Sequence, residues 1–199
     1  MPDTPTALDL PIVDGRTLPR KLREALRPGR TLPDGTGVER KLPRYFYRVD
    51  SWTQARETML APNFCLYEFM HVDLHEAAAV RAWPRYVPCA VTALAAHLSV
   101  LRLVVGTYVH VEANGGYRSP AHARCTGADA EHAWATCARL FRIGDDLLDD
   151  KETIEKYRKL VQETLPAVQV RPYGHGEGES DDHLHLSLGI LEMVPPGVE

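Results

Sequence analysis

The sequence predicts an α+β fold with a small, mainly antiparallel sheet flanked by helices. Three observations carry this expectation. Val91, Leu94, Ala95, Leu98 and Leu101 recur at helical spacing behind Pro88, and Gly106 stops them. Thr107 to Glu112 alternates in strand fashion, and further short strand candidates lie at 139–143, 168–171 and 183–190. The charged stretch from Asp149 to Leu165 places Ile154, Tyr157, Leu160 and Val161 on one helical face. Helices and strands in this mixed order, with no strict β-α alternation, fit α+β rather than a doubly wound sheet.

Taken in order, residues 1–50 read as a partly ordered N-terminal extension. They are rich in Pro, Gly, Arg and Asp, with one short helix at 18–26 and an internal echo of DGRTLP in RTLPDG. Tyr45, Phe46, Tyr47, Val49 and Trp52 are apolar enough to pack the end of this extension onto a core. The domain proper is expected over 51–199. It opens with a short helix at 52–60 and the apolar string Phe64, Leu66, Phe69, followed by a helix over 71–81. Gly115-Gly116 marks a turn, and GHGEGESDD is too polar and glycine-rich to be anything but a loop.

Composition narrows the class of function. The chain has 199 residues, 44% hydrophobic and 25% charged, which is enough to bury a core. A net charge of -4 and a pI near 6.1 give no general attraction to nucleic acid or to an anionic membrane. No run approaches the roughly 20 apolar residues that span a bilayer, and the first ten residues do not have signal-peptide character, so a cytoplasmic protein is expected. Cys65, Cys89, Cys125 and Cys137 form no CxxC pair and read as thiols, mostly buried.

Three segments, in order, carry a more specific signal. They are Asn63-Phe64-Cys65-Leu66-Tyr67-Glu68-Phe69, then Gly115-Gly116-Tyr117-Arg118-Ser119-Pro120-Ala121-His122 followed by Gly127-Ala128 and Glu131-His132, and finally Asp182-His183-Leu184-His185. Over about 125 residues this pattern resembles the zinc D-Ala-D-Ala carboxypeptidase family, of the Hedgehog/DD-peptidase superfamily. The resemblance implies a zinc held by His, Asp and His with an open fourth position, a nearby carboxylate base, and an arginine that anchors the substrate. Carried onto this chain, His132 and His185 are the first and last metal ligands, and Asp182 stands at the base position. His183 is a second catalytic group, and Arg118 grips a carboxylate. Tyr117, Ser119 and Trp134 are expected to line the substrate pocket.

The pattern breaks at one place. The family's aspartate ligand falls seven residues after the first histidine, and residue 139 is an arginine. A guanidinium has no lone pair for a metal, and at ~4 Å from a divalent ion it would be repelled by ~8 kcal/mol at an effective dielectric of about 20. Ala130 and Ala135 also replace the family's usual serine and glycine. Cys137, two residues earlier on a predicted strand, shares the face of Arg139 and is a possible substitute ligand. His122, Asp145 and His175 are further ligand types without a spacing argument, and the His71-Val72-Asp73-Leu74-His75 run reads as a solvated helix start.

The leading expectation is therefore a DD-peptidase-like protein that has lost standard zinc hydrolysis. It keeps a His/Arg pocket for a peptide-like or amino-acid-derived ligand, with divergent chemistry open to it. Two alternatives stand beside it: a zinc-dependent peptidase or amidase that uses a substitute third ligand, and a non-catalytic interaction module.

Overall fold

A computed structural model describes residues 8–33, 37–76, 78–81, 86–122, 130–175 and 181–198. The chain is mixed α and β with small antiparallel sheets, as the periodicities predict. The longest helix, α5 (Val91–Val105), buries Val91, Leu94, Ala95, Leu98 and Leu101. Each fully buried leucine of this kind contributes roughly 2 kcal/mol of transfer free energy. Gly106 ends α5 in the left-handed conformation, its N–H returning to the Arg102 carbonyl. The second long helix, α7 (Lys151–Thr164), starts at Asp150, whose carboxylate accepts from the Thr153 N–H, and it buries Ile154, Tyr157 and Val161.

Both helices pack on the main sheet. Its central strand, β9 (Cys137–Ile143), pairs with β8 (Val109–Val111), β10 (Asp146–Leu147) and β12 (Leu184–Ser187), and β12 in turn pairs with β11 (Gln169–Val170). All of these pairings are antiparallel. Ala138, Leu140, Leu184 and Leu186 enter the main core, so the alternate residues Cys137, Arg139, His185 and Ser187 lie on the opposite face.

The N-terminal residues are more integrated than their composition implies. β1 (Ile12–Asp14) and β7 (Tyr86–Pro88) flank β4 (Tyr45–Arg48), so pairing runs across the expected boundary at residue 50. Leu10, Tyr45, Tyr47 and Val49 belong to the main core. A short helix, α1 (Arg20–Leu26), docks through Leu26 on Leu18 and Phe46, and a hairpin of β2 (Thr31–Pro33) and β3 (Glu39–Lys41) follows it. Asp14 ties this region together by accepting from Arg16 and Arg44.

Other boundaries also differ from the sequence reading. The helix expected over 52–60 stops as α2 (Trp52–Glu57), because 59–61 pairs as β5 with β6 (Phe64–Cys65). A short helix, α3 (Leu66–Met70), follows. The helix expected over 71–81 is described only as α4 (Ala78–Arg81), since Asp73 and Asn114 bind the 71–76 backbone and side chains in an irregular turn. Residues 34–36, 123–129 and 176–180 fall outside the description, and with them Cys125, Gly127-Ala128 and the centre of the GHGEGESDD loop. Among the described residues, no helix is long and apolar enough to cross a membrane.

Gly115 and Gly116 hold the loop that covers the polar face of the sheet. A Cβ on Gly116 would overlap the Phe69 carbonyl oxygen, and one on Gly115 would lie 2.8 Å from the carbonyls of Arg139 and Glu112. The requirement is for close backbone approach rather than for unusual dihedrals. Gly116→Ala should therefore cost about 3 kcal/mol or more, as a lower urea midpoint with unchanged slope. A midpoint equal to that of the wild type would show that the loop tolerates the displacement.

Candidate metal centre

The polar face of β9 and β12 is the floor of the site. Register places His185 directly opposite Arg139, and Ser187 opposite Cys137. A short helix, α6 (Ala130–Ala133), lowers His132 onto this floor from above. Ala135 then takes a left-handed conformation, φ 56°, and turns the chain into β9. Glycine adopts this conformation most easily, so Ala135 is held in it by the turn around it.

His132, Cys137 and His185 are each fully buried, and one donor atom from each lies within 4.8 Å of the others. The rings of His132 and His185 stand edge to face at 5.5 Å. His132 Nδ1 donates to the Gly116 carbonyl at 2.7 Å, which leaves Nε2 as the lone-pair nitrogen. That Nε2, and both ring nitrogens of His185, are buried without a hydrogen-bond partner. Unpaired buried polar atoms cost roughly 1–3 kcal/mol each, and imidazole nitrogens facing a thiol in one small space are what a transition-metal ion would satisfy. The hydrogen bond on the far nitrogen of His132 is also the usual brace of a ligating imidazole. The residues present thus fit a metal ion, with Cys137 rather than residue 139 completing the set.

Electrostatics keep the histidines neutral. Burial, then the field of Arg118, pushes the His132 pKa down to about 3. Burial, then Arg171, pushes that of His185 down to about 2. His183 is lowered mainly by burial, against the raising effect of Asp182. Its Nδ1 donates to Asp182 Oδ1 at 2.6 Å, and its Nε2 is buried without a partner. The His183 and His185 rings are 6.2 Å apart. Glu131 brings a carboxylate oxygen to 4.0 Å from His185 Nε2.

The predicted residues divide into those the fold gathers and those it does not. His132, His183 and His185 converge. Arg118 joins them, its backbone N–H on the His132 carbonyl and its Nε on the Asn114 carbonyl. Asp182 reaches the site through His183, while its own carboxylate is largely exposed. Tyr117, expected to line the substrate pocket, is buried with its side chain in the main core. Ser119 caps the turn at 120–122 by accepting from the His122 N–H, and Trp134 is buried. His122 lies 3.7 Å from Glu76 and in the field of Arg118, and Asp145 and His175 are exposed. His75 is exposed and paired with Asp73, and His71 stacks on Tyr67.

No family model, curated protein or solved structure matches this chain.

Two participants escape a reading by motif: Glu131, whose carboxylate lies 4.0 Å from His185 Nε2, and Arg171, whose field acts on His185. Glu131 sits beside a named ligand and had a local signal. Arg171 is placed only by strand register.

The depressed histidines set a pH dependence for the metal-free protein. In the unfolded chain they protonate near 6.5, in the fold only near 3 and 2, so their stabilisation is complete above pH 6.5 and is lost as pH falls. Between pH 6.5 and 5 each should give up about 2 kcal/mol, before most unfolded carboxylates titrate. Glu112, raised by burial, acts weakly in the opposite sense. Urea midpoints in the presence of chelator should fall steeply over this window. A flat profile would mean that the imidazoles are not held neutral.

Proposed function

We propose that this chain is a zinc-dependent hydrolase of peptide or amide bonds, with His132, Cys137 and His185 as the metal ligands. The observation that carries the reading is the convergence of three buried donor atoms within 4.8 Å, two of them on histidines with orphaned nitrogens. It is supported by the ordered resemblance to D-Ala-D-Ala carboxypeptidases, from which it departs in taking a cysteine for the aspartate. Zinc in such a set would supply Lewis-acid polarisation of a carbonyl and a water of lowered pKa.

The remaining steps belong to the protein. His183, neutral and braced through Nδ1 by Asp182, presents Nε2 as a proton acceptor. Arg118 is held at Nε by the Asn114 carbonyl, and this fixes the direction in which its fork grips a substrate carboxylate. Burial of the imidazoles excludes bulk water and strengthens both interactions.

A second reading is favoured by one observation. Arg139 stands across from His185 and its field acts on His132, which opposes a cation in the site. On that reading the pocket holds a peptide-like ligand without metal.

Zinc titration by calorimetry separates the two. The wild type should bind close to one zinc per chain, and Cys137→Ser and His185→Ala should each weaken it more than about 100-fold, beyond the cost of outer-sphere changes. The cobalt-loaded wild type should show a thiolate charge-transfer band that Cys137→Ser lacks. A wild type that binds no zinc, beside an Arg139→Asp variant that does, would overturn the cysteine assignment in favour of the metal-free pocket.

A further inference from the structure

A second cleft is built on the segment that supports the loop of the metal centre. In residues 66–76 the Phe69 carbonyl accepts the Tyr117 N–H, and the His71 carbonyl accepts the Asn114 N–H. Side chains of the same segment, Tyr67, His71 and Leu74, meet Trp52 and Arg56 of α2 and Arg81 of α4 around a cavity of about 210 Å³. Neither Arg118 nor any of the buried histidines of the metal centre lines it.

Its walls are aromatic. Trp52 meets the Tyr67 ring edge-on at 5.9 Å, His71 stacks on Tyr67 at 5.5 Å, and the Arg56 guanidinium lies over Tyr67 at 4.3 Å. His71 is held in place by its Nδ1, which donates to the Glu68 carbonyl. Leu66 and Phe69 of the same segment are buried in the core, whereas Trp52, Tyr67 and His71 are only half-buried, beside a Leu74 that is 82% exposed. Ring surface is thus left open to the cavity, and a further ring placed there gains more than its buried area alone.

The charge around the cavity has one sign. Arg56 and Arg81 line it, and no acidic side chain does. Among the described residues, neither arginine has an ion-pair or hydrogen-bond partner for its side chain. The acids of the same segment are turned elsewhere: Glu68 accepts from the Cys65 N–H, Asp73 from His75, and Glu76 from Asn114. A guanidinium stacked flat on a ring keeps its N–H edge for a carboxylate. The volume is below the roughly 300–1,000 Å³ of pockets for drug-sized ligands, so it suits one ring with a short acidic arm.

We infer that this cleft is a binding site for a single aromatic ring bearing a carboxylate. The ring packs against Trp52, Tyr67 and His71, and the carboxylate is received by Arg56 and Arg81. A free aromatic acid and the carboxy-terminal aromatic residue of a peptide carry the same chemistry. The site is separate from the metal centre and does not rest on the zinc reading.

Calorimetry on the full chain at pH 7 tests it, with 3-phenylpropionate, 2-phenylethanol, phenethylamine and acetate as probes. The aromatic acid should bind at least about 10-fold more tightly than the three probes that lack its ring or its negative charge. Arg56→Gln and Arg81→Gln, both at exposed positions, should each remove most of that preference and leave 2-phenylethanol unaffected. Trp52→Phe keeps a ring, so binding should persist, but most of the ligand-dependent change in tryptophan fluorescence should vanish. Added zinc should leave the affinity unchanged. Equal binding of 3-phenylpropionate and acetate, or a preference untouched by both glutamine variants, overturns the inference. So does an affinity that rises with zinc or a fluorescence change retained in Trp52→Phe, since either places the acid elsewhere. N-acetyl-Gly-Phe beside 3-phenylpropionate identifies the source: tighter binding of the peptide assigns the cleft to a chain terminus, and tighter binding of the free acid to a small molecule.

Discussion

The two-residue period of β9 and β12 is the constraint on which everything else in this molecule rests. One face of these strands delivers Ala138, Leu140, Leu184 and Leu186 to the core under α5 and α7. Burial of that face fixes the register, because a slip of one residue would drive every leucine into the polar layer. With the register fixed, Cys137, Arg139, His185 and Ser187 have no choice but to share the other face. Hydrophobic packing thus positions the polar chemistry without contacting it.

The loop and short helix that cover this face complete the arrangement through backbone contacts. Gly116 approaches Phe69 closely and offers its carbonyl to His132, while Arg139 donates its N–H to the Gly115 carbonyl. The His132 imidazole is therefore oriented by the same glycine pair that seals the loop onto the sheet. Two buried nitrogens on His185 and one on His132 are left without partners. A fold that places several such atoms face to face at a thiol maintains them at a cost, and a bound ion is the simplest way to offset it.

Charge in the site is arranged in opposition. Burial holds the histidines neutral, which suits ligation, while guanidinium groups approach from three backbone positions. An arginine beside a metal site is unfavourable in isolation. With a metal bound, a thiolate at Cys137 would bring a negative charge that a third histidine would not, and would partly compensate for residue 139 being cationic.

Much of this was legible in the sequence. The α5 stripe with its terminal glycine, the charged α7 helix and the α+β class follow from periodicity, and the histidine positions follow from ordered motifs. The shared face of Cys137 and Arg139 follows from strand geometry alone, because residues two apart in a strand always point the same way. The turn at 71–76 was not legible, since its apparent helical pattern yields to bonds from Asn114, a residue far along the chain. Nor was the burial of Tyr117, or the pairing of 12–14 and 45–48 in one sheet with 86–88, which depends on partners distant in sequence. The pairing of Arg139 with His185 is the clearest case. Sequence determined which residues each strand carries and how they alternate. Only the tertiary structure decided which strand lies beside which, because pairing register is fixed by burial of the opposite face and has no local signature.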